Sequence, residues 1–221
     1  MQRSVQRDPG AQVAQPKRLL VFGATGGTGR EVVRAAAAAG HLVTAFARRA
    51  EVPGAARVVV GDALDADAVA GAIAGHDAVI CALGAPASSP DRLRERATRH
   101  ILAGMQAAGV RRLVALSTYG LGGTWPTLPW FVRHVVIPFH LQRGFADHVE
   151  QEMLIRESPL DWTIVRPPFL VDGPPAGGVR SDDLDQGPTP KWKISRADVA
   201  RVLVDRALDG GWARRAVPVT W

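Results

Sequence analysis

The run Gly23-Ala-Thr-Gly-Gly-Thr-Gly29 limits what this chain can fold into more than any other stretch. Its glycines follow the spacing G-x-x-G-x-x-G, and the apolar residues Leu19, Leu20, Val21 and Phe22 lead into it as a short buried strand. Behind it, Glu31-Val-Val-Arg-Ala-Ala-Ala-Ala-Ala39 reads as a helix, because Ala is the strongest helix former. Gly40 ends that helix as a residue able to take the left-handed cap. A strand, a glycine turn and a helix start together make an anion site. The free backbone N–H groups and the positive end of the helix dipole converge there, and side chains on the turn would block a pyrophosphate. Glycine clusters also make plain turns, so the spacing alone says little. The strand before it, the helix after it and a second strand at 42–46 are what give it meaning.

The same alternation continues. Strands are predicted at 18–22, 42–46, 58–60, 78–82, 113–116, 162–166 and 217–220, and helices at 27–39, 65–74, 91–108, 144–157 and 195–209. Asp65 is a plausible N-cap. Residues 191–194 read as a short edge strand within a Gly-, Pro- and Asp-rich region, 172–190, that could hold a hairpin, and Pro218 argues that the last strand lies at a sheet edge. Strands alternating with helices mean βαβ units and a mainly parallel sheet. The first 16 residues have no apolar period and read as a disordered leader, leaving 17–221 as one domain.

Composition narrows the function classes. The net charge is +6 and the pI about 10.6. Of the 27 basic residues only Lys17, Lys191 and Lys193 are lysines, which leaves 24 arginines. They are scattered, apart from Arg92, Arg94, Arg96 and Arg99 on one predicted helix, and so do not form the stripe that nucleic acid requires. A basic balance still suits an anionic ligand. No run of about 18 apolar residues is present, so no membrane partner is expected. The single cysteine, Cys81, cannot form an intrachain disulfide and reads as a small core residue. The histidines at 41, 76, 100, 134, 140 and 148 form no i,i+4 pair, so no metal site is inferred. A cytoplasmic protein, monomeric or weakly dimeric, is expected.

In a parallel sheet the ligand lies at the carboxyl ends of the strands. That rule selects the glycine turn, Arg48-Arg49, Asp62, Leu83-Gly84, Ser117-Thr118 and Pro167-Pro168. Arg48 and Arg49 stand about 20 residues past the turn, where the residue reading the adenosine ribose is expected, and 42–50 contains neither Asp nor Glu. Arginines there favour a 2′-phosphate, hence NADP(H) rather than NAD(H).

Gly23–Gly29, Val58-Val-Val-Gly-Asp62, Asp77-Ala-Val-Ile80, Leu83-Gly84 and Leu154-Ile-Arg-Glu-Ser-Pro-Leu160 resemble the atypical short-chain dehydrogenase/reductases, in particular the biliverdin-IXβ reductase/flavin reductase family. The likeness covers about 18–170 and continues weakly through 194–199. It implies a doubly wound, mainly parallel Rossmann-type sheet in a single α/β domain. It also implies that the cofactor-binding turn runs from Gly23 to Gly29 with Thr25, Gly26, Gly27 and Thr28 meeting the pyrophosphate, that Asp62 and Ala63 face adenine, that Leu83 and Gly84 line the ribose, and that Ser117 and Thr118 lie near the nicotinamide with Pro167 and Pro168 beyond it. Asp62 and Ser117 have plainer readings too, as a turn-closing residue and a strand-end residue. Tyr119, the only tyrosine, is followed four positions on by Gly123, so the Tyr-x-x-x-Lys pattern of many short-chain dehydrogenases is missing.

The expected activity is hydride transfer from NADPH to a flat conjugated acceptor such as a flavin, quinone or tetrapyrrole, with Ser117 as the candidate catalytic residue. The alternatives are a non-catalytic NADP(H) sensor of the NmrA-like kind and a sugar-nucleotide-type isomerase or epimerase. Trp125, Trp130 and Phe131, with Phe139, either wall the acceptor pocket or form ordinary core.

Overall fold

The computed structural model describes residues 15–84, 92–181 and 191–221. Most of the expected leader and the loop centre at 182–190 lie outside the described residues. Strand β1 (Arg18–Phe22) is followed by α1 (Gly27–Ala38), β2 (Leu42–Ala47), β3 (Arg57–Val60), α2 (Ala66–Ile73), β4 (Ala78–Cys81), α3 (Leu93–Ala108) and β5 (Arg112–Leu116). Then come α4 (Gln142–Glu157), β6 (Asp161–Arg166), β7 (Phe169–Val171), β8 (Arg180–Ser181), β9 (Lys193–Ser195), α5 (Arg196–Asp209) and β10 (Arg215–Thr220). The main sheet has the order β3-β2-β1-β4-β5-β6-β10-β8 and is parallel except for β8. It is a doubly wound α/β sheet in one domain.

Period-two alternation sends side chains to both faces, and each face is covered. From β1, Leu19 and Val21 pack with Val32, Val33 and Ala36 of α1 and with Val199 and Leu203 of α5. Leu20 and Phe22 pack on the other side with Val69 and Ile73 of α2 and with Ile101 and Met105 of α3. Chain order reverses between β1 and β4, which are direct neighbours in register from Leu19↔Ala78 to Phe22↔Cys81. The crevice of such a sheet opens at that switch point, beyond the strands' carboxyl ends.

Two expectations at the carboxyl-terminal side need correction. The lone edge strand at 191–194 is instead β9, paired with an unanticipated β7 in a separate two-stranded sheet. Strand β10 is not outermost: β8 pairs with it, but only at Val219 and Thr220. Pro218 therefore sits where β10 has no outer neighbour among the described residues, which suits its missing N–H. Among the described residues, no helix is long and apolar enough to cross a membrane.

Candidate functional site

Helix α1 begins unlike α2, α3 and α5. Asp65 caps α2 by accepting from the N–H groups of Asp67 and Ala68 at 3.0 and 3.1 Å. Ser195 caps α5 through the N–H of Asp198 at 3.0 Å. The first N–H groups of α3 belong to Asp147, which reaches across from α4 to Arg94 and Glu95 at 3.1 and 2.9 Å. At α1 the cap is Gly26, with no side-chain hydrogen bond and no acidic residue in the first turn. Its N–H groups and its dipole are left for an anion.

Close packing dictates the glycines here. Gly23 has φ +78°, and a Cβ on it would lie 2.4 Å from the Ala82 carbonyl oxygen. A Cβ on Gly29 would lie 2.0 Å from the oxygen of Gly23. The turn is therefore pressed on β1 and on the end of β4, and a flat strip of backbone faces outward. At Gly27 the nearest neighbour is not backbone: a Cβ there would sit 2.6 Å from Nε of Arg196. The first residue of α5 thus lays its guanidinium against the first residue of α1. Its Nη1 donates to Asp172 at 2.8 Å. Sequence reasoning missed Arg196, because nothing local links it to the turn.

The remaining strand-end residues fall as follows. Arg48 and Arg49 are exposed just past β2. Since Phe46 is in register with Phe22, they stand beside the glycine turn. Asp62 is exposed, and its carboxylate accepts from Leu64 N–H at 3.0 Å, closing its own turn. Ala63 is buried, and its carbonyl meets the His100 ring at 3.2 Å. Leu83 is half-buried and Gly84 exposed, beyond β4 at the switch point. Thr25, Gly26 and Gly27 keep some exposure, whereas Thr28 and Gly29 are buried. Pro167 is buried, and its carbonyl accepts from Tyr119 N–H at 2.8 Å.

Ser117 is buried, and its hydroxyl donates to Glu152 at 2.7 Å. Glu152 also takes two bonds from Arg166, with Nε at 2.8 Å and Nη2 at 2.5 Å, and one from Arg156 at 3.3 Å. Burial alone would raise the Glu152 carboxyl. The Arg166 bonds and charge, the Ser117 hydroxyl and Arg156 outweigh it and hold the pKa below its ordinary value. The free Cys81 thiol, by contrast, is pushed up to about 11 by burial and stays an inert core group.

Beside these strand ends lies a cavity of about 270 Å³. Thr118 and Tyr119 line it from the end of β5, Pro168 and Phe169 from the end of β6, and Trp192 from the start of β9. Val132, Ile137 and Leu141 form its roof. That roof, Val132–Leu141, is wound as a wide π-type helix running into α4, and Pro138 lies inside it. Such wide turns gather at functional sites. Tyr119 Oη bonds Thr127 Oγ1 at 2.8 Å, and its ring meets Trp192 edge-on at 5.7 Å. The lining carries no charged side chain.

The aromatic wall expected from the sequence is corrected here. Trp125, Trp130 and Phe131 are exposed and do not line the cavity. Tyr119, Phe145, Phe169 and Trp192 supply its aromatic surface. The helical winding turns Val132 and Ile137 inward, so their aromatic neighbours point away.

The NAD(P)H-binding family matches residues 23–209. A 3-diazoavenalumate denitrifying reductase of a Streptomyces species is 43% identical over 113 residues, 45% of this chain and 37% of that relative's length. A (4-alkanoyl-5-oxo-2,5-dihydrofuran-3-yl)methyl phosphate reductase of Streptomyces griseus is 34% identical over 211 residues, covering 91% of this chain and 67% of that protein. Among solved structures, the anaerobillin reductase ChuY of Escherichia coli O157:H7 superposes with a TM-score of 0.74 at 25% identity, over 92% of this chain and 96% of the other.

Proposed function

The chain belongs to the NAD(P)H-binding family, and on that premise we propose that it is an NADPH-dependent reductase of a neutral, flat, conjugated acceptor. The observation that carries this reading is that one sheet carries both features at its carboxyl-terminal edge: an uncapped glycine turn after β1 and, two strands further along, a charge-free aromatic cavity at the ends of β5 and β6. The names of the relatives support reduction as the chemistry. When bound, the nicotinamide supplies the hydride.

The chain's own residues bind, orient and keep out water. The α1 N–H groups hold the pyrophosphate, and Arg48 with Arg49 holds the 2′-phosphate. Ser117, tied down through Glu152, fixes the end of β5 so that Thr118 and Tyr119 meet the acceptor. The cavity is near the small end of the usual range for ligand sites. Burying an unpaired charge in it would be costly, so a quinone or an enone fits better than a phosphate-bearing flavin or a carboxylate-bearing tetrapyrrole. A cytoplasmic location belongs to this reading.

Following NADPH absorbance against a set of acceptors tests the proposal. A neutral quinone should give a higher kcat/KM than a flavin mononucleotide. Tight NADPH binding with no turnover on any acceptor would leave the sensor function instead. Tyr119→Phe should retain most of the turnover, because the Tyr119 hydroxyl is held by Thr127 and the proton can come from solvent. Loss of activity with NADPH affinity intact would make Tyr119 the acid.

Arg196 belongs to the cofactor site in this reading, because its Nε faces the turn while Nη1 is held by Asp172. Arg196→Ala should weaken NADH and NADPH by the same factor, about ten- to a hundredfold for a charge-assisted bond. An effect on NADPH alone would move this arginine to the 2′-phosphate. No effect on either would reduce it to an ion pair with Asp172.

A further inference from the structure

The roof of the cavity has an outer side that the proposed reduction does not use. Trp130 is 66% exposed, Phe131 57% and Phe139 77%. Val132, Ile137 and Leu141 turn into the cavity, so the wide winding carries Trp130, His134, Phe139 and Arg143 to the other side. The Trp130 and His134 rings confirm that they share a side, with centroids 5.2 Å apart. Three large rings exposed to water within ten residues are unusual, and exposed apolar surface gathered in one place marks a contact face.

The charges in this segment have one sign. Residues 120–146 contain Arg133 and Arg143 but no Asp or Glu. The next acid, Asp147, is buried in the cap of α3, and Glu150 pairs with Arg92 at 3.8 Å. Arg133 is half-buried, whereas Arg143 is exposed; an aromatic face with an arginine at its edge, in a segment free of carboxylate, is the composition of an interfacial helix. It complements the anionic headgroups of a lipid surface. A second copy of this chain would instead bring arginine against arginine.

We propose that the outer side of the 130–143 helix docks on an anionic lipid bilayer, and that the cavity beneath takes its apolar acceptor from that surface. The second half of this statement rests on the reductase reading, while the docking does not. Pro129 and Leu141 line the cavity and are also exposed, at either end of the same helix, so the mouth adjoins the docking face. An acceptor confined to a bilayer, such as a quinone with an alkyl tail, would be drawn in without crossing water.

The test is cosedimentation of the full chain with phosphatidylcholine vesicles, with and without about a third of phosphatidylglycerol, a content that gives the negative surface potential the arginines would meet. Binding is expected to the anionic vesicles and to weaken with added salt. Trp130→Ser with Phe139→Ser should lower it at least tenfold. Both side chains are exposed and outside the cavity, so turnover of a water-soluble quinone should be unchanged. Arg143→Gln should weaken binding to the anionic vesicles only. The proposal falls if the chain stays in the supernatant with both lipids, or if the double variant binds as well as the parent. A concentration-dependent dimer that the double variant dissociates would also overturn it, assigning the face to a second copy. Vesicle binding as expected, with no acceptor reduced by parent or variant, would uphold the docking and remove only the reductase reading.

Discussion

Glu152→Ala is expected to cost about 3–5 kcal/mol of folding stability, the range for removing one partner of a buried ion pair. Glu152 and Arg166 are both nearly inaccessible, and Ser117 shares the same carboxylate. Without it, a guanidinium is left buried beside a hydroxyl that has lost its acceptor. Urea denaturation measures the loss. The double change Glu152→Leu with Arg166→Met should recover much of it, because an apolar pair of similar volume carries no desolvation cost. A loss below about 1 kcal/mol for Glu152→Ala would put the pair in the class of solvent-screened bridges.

The same network predicts acid lability. The folded-state pKa of Glu152 lies below its unfolded value, so its contribution is complete above the unfolded value and disappears as pH falls through the folded one. His148 adds to the loss at higher pH. Burial first, then the charge of Arg94, pushes its pKa from 6.5 down to about 4. The unfolded chain therefore takes up that proton more readily between these values, which removes at most about 3–4 kcal/mol on acidification. His148→Gln should flatten the stability profile in that window and leave the steeper fall below it.

Arg48→Ala with Arg49→Ala should weaken NADPH by about 2–4 kcal/mol, scaled from charge-assisted hydrogen bonds, and leave NADH nearly unchanged. Both side chains are exposed beyond β2, beside the glycine turn, and neither makes a side-chain hydrogen bond or ion pair among the described residues. In the proposed binding mode these two guanidinium groups would meet the dianionic 2′-phosphate. Dissociation constants for the two cofactors decide the matter. Equal or tighter NADH binding by the unmodified chain would refute NADPH selection. The contrast with Arg196 is informative, since that residue should affect both cofactors alike. Together the two variants locate each end of the cofactor without any turnover assay.

Much of the architecture was legible in the residues because it is local. Short continuous apolar runs specify strands covered on both faces. Gly23 and Gly29 announce a turn that no side chain can enter, and Asp65 and Ser195 announce helix starts through their own hydroxyl or carboxylate. From these followed most of the strands and helices, the parallel sheet and the uncapped start of α1. What the local pattern could not carry was which distant groups meet. Asp147 caps a helix 53 residues away, Glu152 joins Ser117 across 35 residues, and Arg196 comes to Gly27 only because α5 packs beside α1. Trp192 enters the cavity because β9 pairs with β7. The direction of Trp130 and Phe131 depended on a wide helical turn that gives no periodic signal in the sequence. Backbone conformation is written in neighbouring residues, whereas pairing across the fold is set by how the packed layers bring remote side chains within reach.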